Sequence, residues 1–63
     1  MRTEYTIRLT DKKGKISTSV YPKKYADEKA ASAKAFYEPK GYKVEYFKVM
    51  YNGASFYKAE KIF

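Results

Sequence analysis

From Tyr42 to Lys61 the chain interleaves aromatic rings and ammonium groups: Tyr42, Lys43, Tyr46, Lys48, Tyr51, Tyr57, Lys58 and Lys61. These two residue types, repeated along one segment, suit a non-covalent chemistry. Lysines neutralise phosphates and release their counterions, while flat rings take bases in a stack. The whole chain leans the same way. Fourteen Lys and Arg against seven Asp and Glu leave a net charge of +7 and a pI of about 9.6, and eight of 63 residues are Tyr. A second basic group, Lys12, Lys13 and Lys15, precedes a run of alternating apolar residues, and a third, Lys23 and Lys24, follows it. About seven extended residues separate these two groups, roughly 20 Å, a spacing that can follow a nucleic-acid backbone. The same residues have ordinary structural uses. Tyrosines form the core and half-buried shell of small domains, and excess lysine keeps them soluble.

Catalysis finds little to work with. Without His or Cys, the commonest general base, the commonest zinc ligand and every thiolate are missing. The acids Glu4, Asp11, Asp27, Glu28, Glu38, Glu45 and Glu60 are scattered and match no metal-loop spacing. Asp27 and Glu28 are adjacent, but neighbours on a helix point about 100° apart, so they read as complements to a helix N-terminus. The serines have no activating base. The glycines Gly14, Gly41 and Gly53 fall at turns and form no phosphate loop. We therefore expect no enzyme, no metal and no cofactor.

The elements that must position these groups are legible as alternation and punctuation. Tyr5, Ile7 and Leu9 alternate with Thr6, Arg8 and Thr10, and Ile16, Thr18 and Val20 with Ser17, Ser19 and Tyr21. Both are period-two strand patterns, joined through the turn residues Asp11-Lys12-Lys13-Gly14. Ala26, Ala30, Ala33 and Tyr37 form one helical stripe with Phe36 on its flank; Pro39 discourages helical geometry at Glu38, and Gly41 closes the end. Asn52-Gly53 marks a second hairpin through a type I′ turn. A strict two-residue loop there pairs Tyr51 with Ala54 and Val49 with Phe56, and further on sets Glu45 against Glu60. That like-charge pair is unfavourable. The apolar phase also switches from Val44 and Tyr46 to Phe47 and Val49. Either a bulge near Tyr46-Phe47 or a strand apolar on both faces accounts for these two observations.

The expected architecture is α+β, one domain over 1–63 in the order ββαββ: strands at about 4–10, 15–21, 42–51 and 54–63, and a helix at about 25–38. The antiparallel four-stranded sheet carries the helix on one face. The expected function is a non-catalytic nucleic-acid-binding module for DNA or RNA. Lys12, Lys13, Lys15, Lys43, Lys48, Lys58 and Lys61 would hold phosphates, and Tyr46, Tyr51 and Tyr57 would stack bases. The alternative is a small modulator that docks the same basic, aromatic face on an acidic protein surface, in the manner of phage- or plasmid-encoded accessory proteins. A third reading is a homodimer that buries that face. No segment reads as a signal peptide or a membrane span, and the expected location is cytoplasmic.

Overall fold

The computed structural model describes residues 2–63. Its elements are β1 (Arg2–Thr10), β2 (Ile16–Tyr21), α1 (Lys23–Tyr37), β3 (Lys43–Asn52) and β4 (Ser55–Lys61), with a single 3₁₀ turn over Glu38–Lys40. The α+β architecture in ββαββ order is thus the observed one. The four strands form an antiparallel sheet ordered β2-β1-β3-β4, so each hairpin contributes one central and one edge strand. The join between hairpins is the long β1–β3 pairing, with Ile7 opposite Tyr46 and Leu9 opposite Val44.

One face of this sheet is the core. Tyr5 and Ile7 from β1 and Val44 and Tyr46 from β3 pack against Ala26 and Ala30, both wholly inaccessible. Leu9, Tyr21, Ala33, Tyr37 and Phe63 close the margin. The Ala stripe lets the helix backbone approach the sheet closely, and rings from the strands fill the remaining space. Ala30→Leu should therefore overpack this contact and cost about 1–3 kcal/mol in urea denaturation. The same change at the exposed Ala31 should be nearly neutral. Phe36, on the flank of the stripe, is 55% exposed, stands edge-on to Tyr37, and lies under the Lys40 ammonium.

The ends of the helix differ from expectation. α1 starts at Lys23, immediately after an extended Pro22, so Asp27 and Glu28 lie beyond the first turn, which holds no acid. Glu38 keeps right-handed helical geometry despite Pro39 (φ −58°, ψ −43°). The proline only tightens the chain into the 3₁₀ turn. Gly41 then takes φ +91°, as a closing glycine does. The Lys12 side chain lies across Gly41 where a Cβ would project.

In the second hairpin the loop residues are Gly53 and Ala54, and Asn52 pairs with Ser55. Only Gly53 has positive φ (65°), which suits a type II′ turn with glycine first in place of the expected type I′. The irregularity falls between Met50 and Tyr51, opposite Tyr57, and not at Tyr46-Phe47. Together with the loop at Gly53-Ala54, it sets Glu60 opposite Lys48 and away from Glu45. The phase change in β3 is therefore the two-faced alternative. Val44, Tyr46 and Met50 lie on the helix side, and Phe47, Val49 and Tyr51 on the other.

Candidate functional site

The face of the sheet away from α1 is uncovered. The register assigns its residues in rows that run from β2 to β4. Val20, Thr6, Phe47 and Lys61 form one row; Thr18, Arg8 and Glu45 the next; and Ile16, Thr10 and Lys43 a third. Toward the other end lie Glu4, Val49 and Ala59, then Arg2, Tyr51 and Phe56. This arrangement follows from β1, where each residue of Tyr5, Ile7 and Leu9 committed to the core sends its neighbours Thr6, Arg8 and Thr10 outward.

Two of the rings on this face are engaged by cations. The Arg2 guanidinium sits 4.7 Å from the Tyr51 ring centre, and that of Arg8 sits 5.0 Å from Phe47. Tyr51 and Phe56 meet edge-to-face at 6.4 Å, with Phe56 64% exposed. Phe47 and Tyr51 are four residues apart on one strand, about 13 Å, so they offer two separate places for a flat ligand.

Glu45 organises the middle of the face. It is only 6% exposed although no helix covers it, because long basic side chains surround it. Arg8 donates to its Oε1 through Nε at 2.9 Å and Nη2 at 2.7 Å; Lys61 lies 3.4 Å and Lys43 4.0 Å from Oε2. The hydrogen bond from Arg8 is the main reason the carboxyl titrates below the usual range. The charges of Arg8 and Lys43 and a bond from Lys61 act the same way, against a partial opposition from burial. A carboxyl held low favours the folded state only while ionised, so this contribution is present above the ordinary Glu pKa and is lost as pH falls through the depressed value. Glu45→Gln should flatten the acid limb of the stability–pH curve. An unchanged limb, followed by circular dichroism in urea, would place the titration elsewhere.

Several expected site residues are not on this face. Tyr46 is 1% exposed, packed beneath α1 between Tyr5 and Phe63, and its hydroxyl donates to Asp27 Oδ1 at 2.8 Å. It cannot stack on a base without unfolding the core. Asp27 accordingly serves as a partner for a buried phenol. Lys48 and Lys58 lie on the helix side of the sheet, opposite Tyr5 and Met50, and Lys58 pairs with Glu60 at 3.1 Å. Strand alternation separates them from Lys43 and Lys61, which do share the open face with Tyr51. Tyr57 is the extra residue opposite the irregularity and is exposed.

Two of the first-hairpin lysines, Lys12 and Lys13, join a group that the sequence keeps apart, while Lys15 is exposed just before β2. Asp11 Oδ1 accepts from the backbone N–H of Lys13 and Lys15, both at 2.8 Å, and fixes the loop. Lys12 and Lys13 then border a shallow concavity of about 300 Å³ with Asp11, Lys40 and Tyr42. Thr10 faces Lys43 beside it, so basic residues from three segments share one end of the sheet. The notable omissions from the expected site are Arg2, Arg8, Phe47 and Phe56. The outward phase of β1 marked Arg8 directly, and Phe47 is in the phase opposite to Val44 and Tyr46; Phe56 reaches the face through its pairing with Tyr51.

Among the described residues no cluster of acids could hold a metal, and no helix is long and apolar enough to cross a membrane. The fold and face together describe a class: a small ββαββ sheet with one surface under a helix and the other open, basic and aromatic. Comparison with protein-family models, curated proteins and solved structures finds no match to this chain.

Proposed function

We propose that this chain is a non-catalytic nucleic-acid-binding module that holds single strands across the open face of its sheet. The observation that carries this reading is the set of Phe47, Tyr51 and Phe56 on an uncovered face, with Arg2 and Arg8 beside the rings and Lys43 and Lys61 in the adjoining rows. Bases stack on Tyr51 and Phe56, and on Phe47 when Arg8 moves with the ligand. Phosphates follow Lys43, Lys61 and the loop cluster of Lys12, Lys13 and Lys40. Single strands suit this surface better than a duplex, because their bases are free to lie flat on rings.

Fluorescence anisotropy of a labelled oligothymidylate, titrated from low to physiological salt, tests the reading. Binding should weaken steeply as salt rises, and tyrosine emission should be quenched on complex formation. An oligonucleotide that does not bind even at low salt removes the proposal. The second reading, a modulator docking on an acidic protein surface, draws on the aliphatic part of the same face, where Ile16 and Val20 are 58% and 56% exposed and serve no base. A single stoichiometric protein retained from a nuclease-treated lysate at high salt would favour it.

A further inference from the structure

The two edges of the sheet are built differently. β4 carries Lys58, Glu60 and Lys61 and is distorted opposite Met50 and Tyr51. Charges and irregularities of this kind keep an edge from pairing with another chain. β2, Ile16-Ser17-Thr18-Ser19-Val20-Tyr21, has no charge, no proline and no bulge, and its register with β1 is unbroken. It is the one edge left undefended in a chain of net charge +7.

Its free hydrogen-bonding groups can be assigned. The Asp11 N–H donates to the Lys15 carbonyl at 3.0 Å, which makes Asp11 and Lys15 a bonded pair. Bonded and non-bonded pairs alternate along an antiparallel ladder. Leu9–Ser17, Ile7–Ser19 and Tyr5–Tyr21 are therefore bonded pairs as well, and Ser17, Ser19 and Tyr21 turn their backbone groups toward β1. Ile16, Thr18 and Val20 turn theirs to the free edge.

We propose that β2 pairs with β2 of a second copy of this chain, antiparallel and centred on Thr18, to make a continuous eight-stranded sheet. This strand is its own complement in that register. Thr18 meets Thr18 of the second copy, Ile16 meets Val20, and all three outward-facing residues become bonded pairs. On the other side Ser17 meets Ser19, and Tyr21 meets Lys15. Within β2 itself no like charges meet; the lysines that flank the strand, Lys12 and Lys13 on one side and Lys23 and Lys24 on the other, come together only beyond its two ends. Ile16 and Val20, both exposed, each gain an apolar cross-strand neighbour in the other copy. That axis is perpendicular to the sheet, so both helices lie on one side and both open faces on the other. The dimer thus extends the open face and does not bury it, unlike the homodimer considered from sequence. The inference stands apart from nucleic-acid binding and holds or fails without it.

Sedimentation velocity without nucleic acid, at low and high salt, provides the test. The wild-type chain should sediment as a dimer that tightens as salt screens the net positive charge, the reverse of the salt response expected for oligonucleotide binding. Thr18→Lys sets two ammonium groups opposite each other on the axis. Thr18→Pro removes only an outward N–H, a substitution that edge strands accept. Both variants should keep the wild-type far-UV spectrum and raise the dimer dissociation constant at least about tenfold, roughly the effect of 1.4 kcal/mol. A wild-type chain that stays monomeric at both salts and at its highest soluble concentration overturns the proposal, including when the edge captures a foreign strand instead. A dimer that persists in both folded variants overturns it equally.

Discussion

Replacing Tyr46 with alanine should remove a large share of this protein's stability. A chain of 63 residues has about 3–9 kcal/mol of stability at the usual 0.05–0.15 kcal/mol per residue. Truncating a large buried ring to alanine costs about 3–5 kcal/mol. Tyr46 is the largest fully buried side chain and sits at the centre of the core, against Tyr5, Phe63 and the helix. Tyr46→Phe separates ring from hydroxyl. It deletes the bond to Asp27, whose carboxylate is exposed and returns to water, so the cost should be only about 1 kcal/mol.

The pair of variants also carries a pH signature. Burial is the main reason the Tyr46 phenol is held protonated well above the ordinary tyrosine value, with the Asp27 hydrogen bond and charge adding to it. A proton held more tightly in the folded state stabilises that state fully below the unfolded pKa, about 10. The contribution is then lost as pH rises from there through the raised folded value. The stability difference between wild type and Tyr46→Phe should therefore shrink above about pH 10, and titrations common to both proteins cancel in that difference. Urea denaturation by circular dichroism across the alkaline range measures it. Should Tyr46→Ala remain folded with a loss under about 1 kcal/mol, the core described above is wrong.

The second large effect concerns binding. The double variant Tyr51→Ala/Phe56→Ala should lower oligothymidylate affinity by about ten- to hundredfold for each ring that stacks, since a base on an aromatic is worth about 1–3 kcal/mol. The fold should survive. Both rings lie outside the core, and their edge-to-face contact is worth about 0.5–1.5 kcal/mol. The slope of affinity against salt should hardly change, because no phosphate contact is removed. Lys43→Ala or Lys61→Ala should do the opposite: a smaller loss of affinity, with the salt slope reduced by about 0.7 for each contact removed. No effect from either kind of substitution would separate binding from this face and leave the loop cluster of Lys12, Lys13 and Lys40 as the place to look.

Much of the architecture was readable in the chain because its signals are local. The alternation of Tyr5, Ile7 and Leu9 needs no partner to announce a half-buried strand, and the spacing of Ala26, Ala30, Ala33 and Tyr37 makes one helix face whatever lies beneath it. The site was less legible. In β3 both phases are apolar, Val44, Tyr46 and Met50 in one and Phe47, Val49 and Tyr51 in the other. A period-two pattern states which residues share a face. It does not state which face meets the helix when hydrophobicity no longer distinguishes them. Tyr46 and Tyr51 therefore looked equivalent, and one is the centre of the core while the other is half-exposed on the open face. Arg8 is different. Its place opposite Ile7 and Leu9 was legible, but its contact with Glu45 depends on two strands 37 residues apart.

The amino-acid sequence alone determined the element order, the two hairpins, the small-residue helix face and the positive charge, all of which depend on neighbours within a turn or a strand. Tertiary structure decided the rest. Pairing β1 with β3 set the strand order, covered Tyr46 and left Tyr51 and Phe56 in the open. It also surrounded Glu45 with cations and put the uncharged β2 at an edge. The physical reason is that each of these outcomes depends on long-range pairing and on which sheet face offers the alanine stripe its closest fit, quantities that local spacing does not contain.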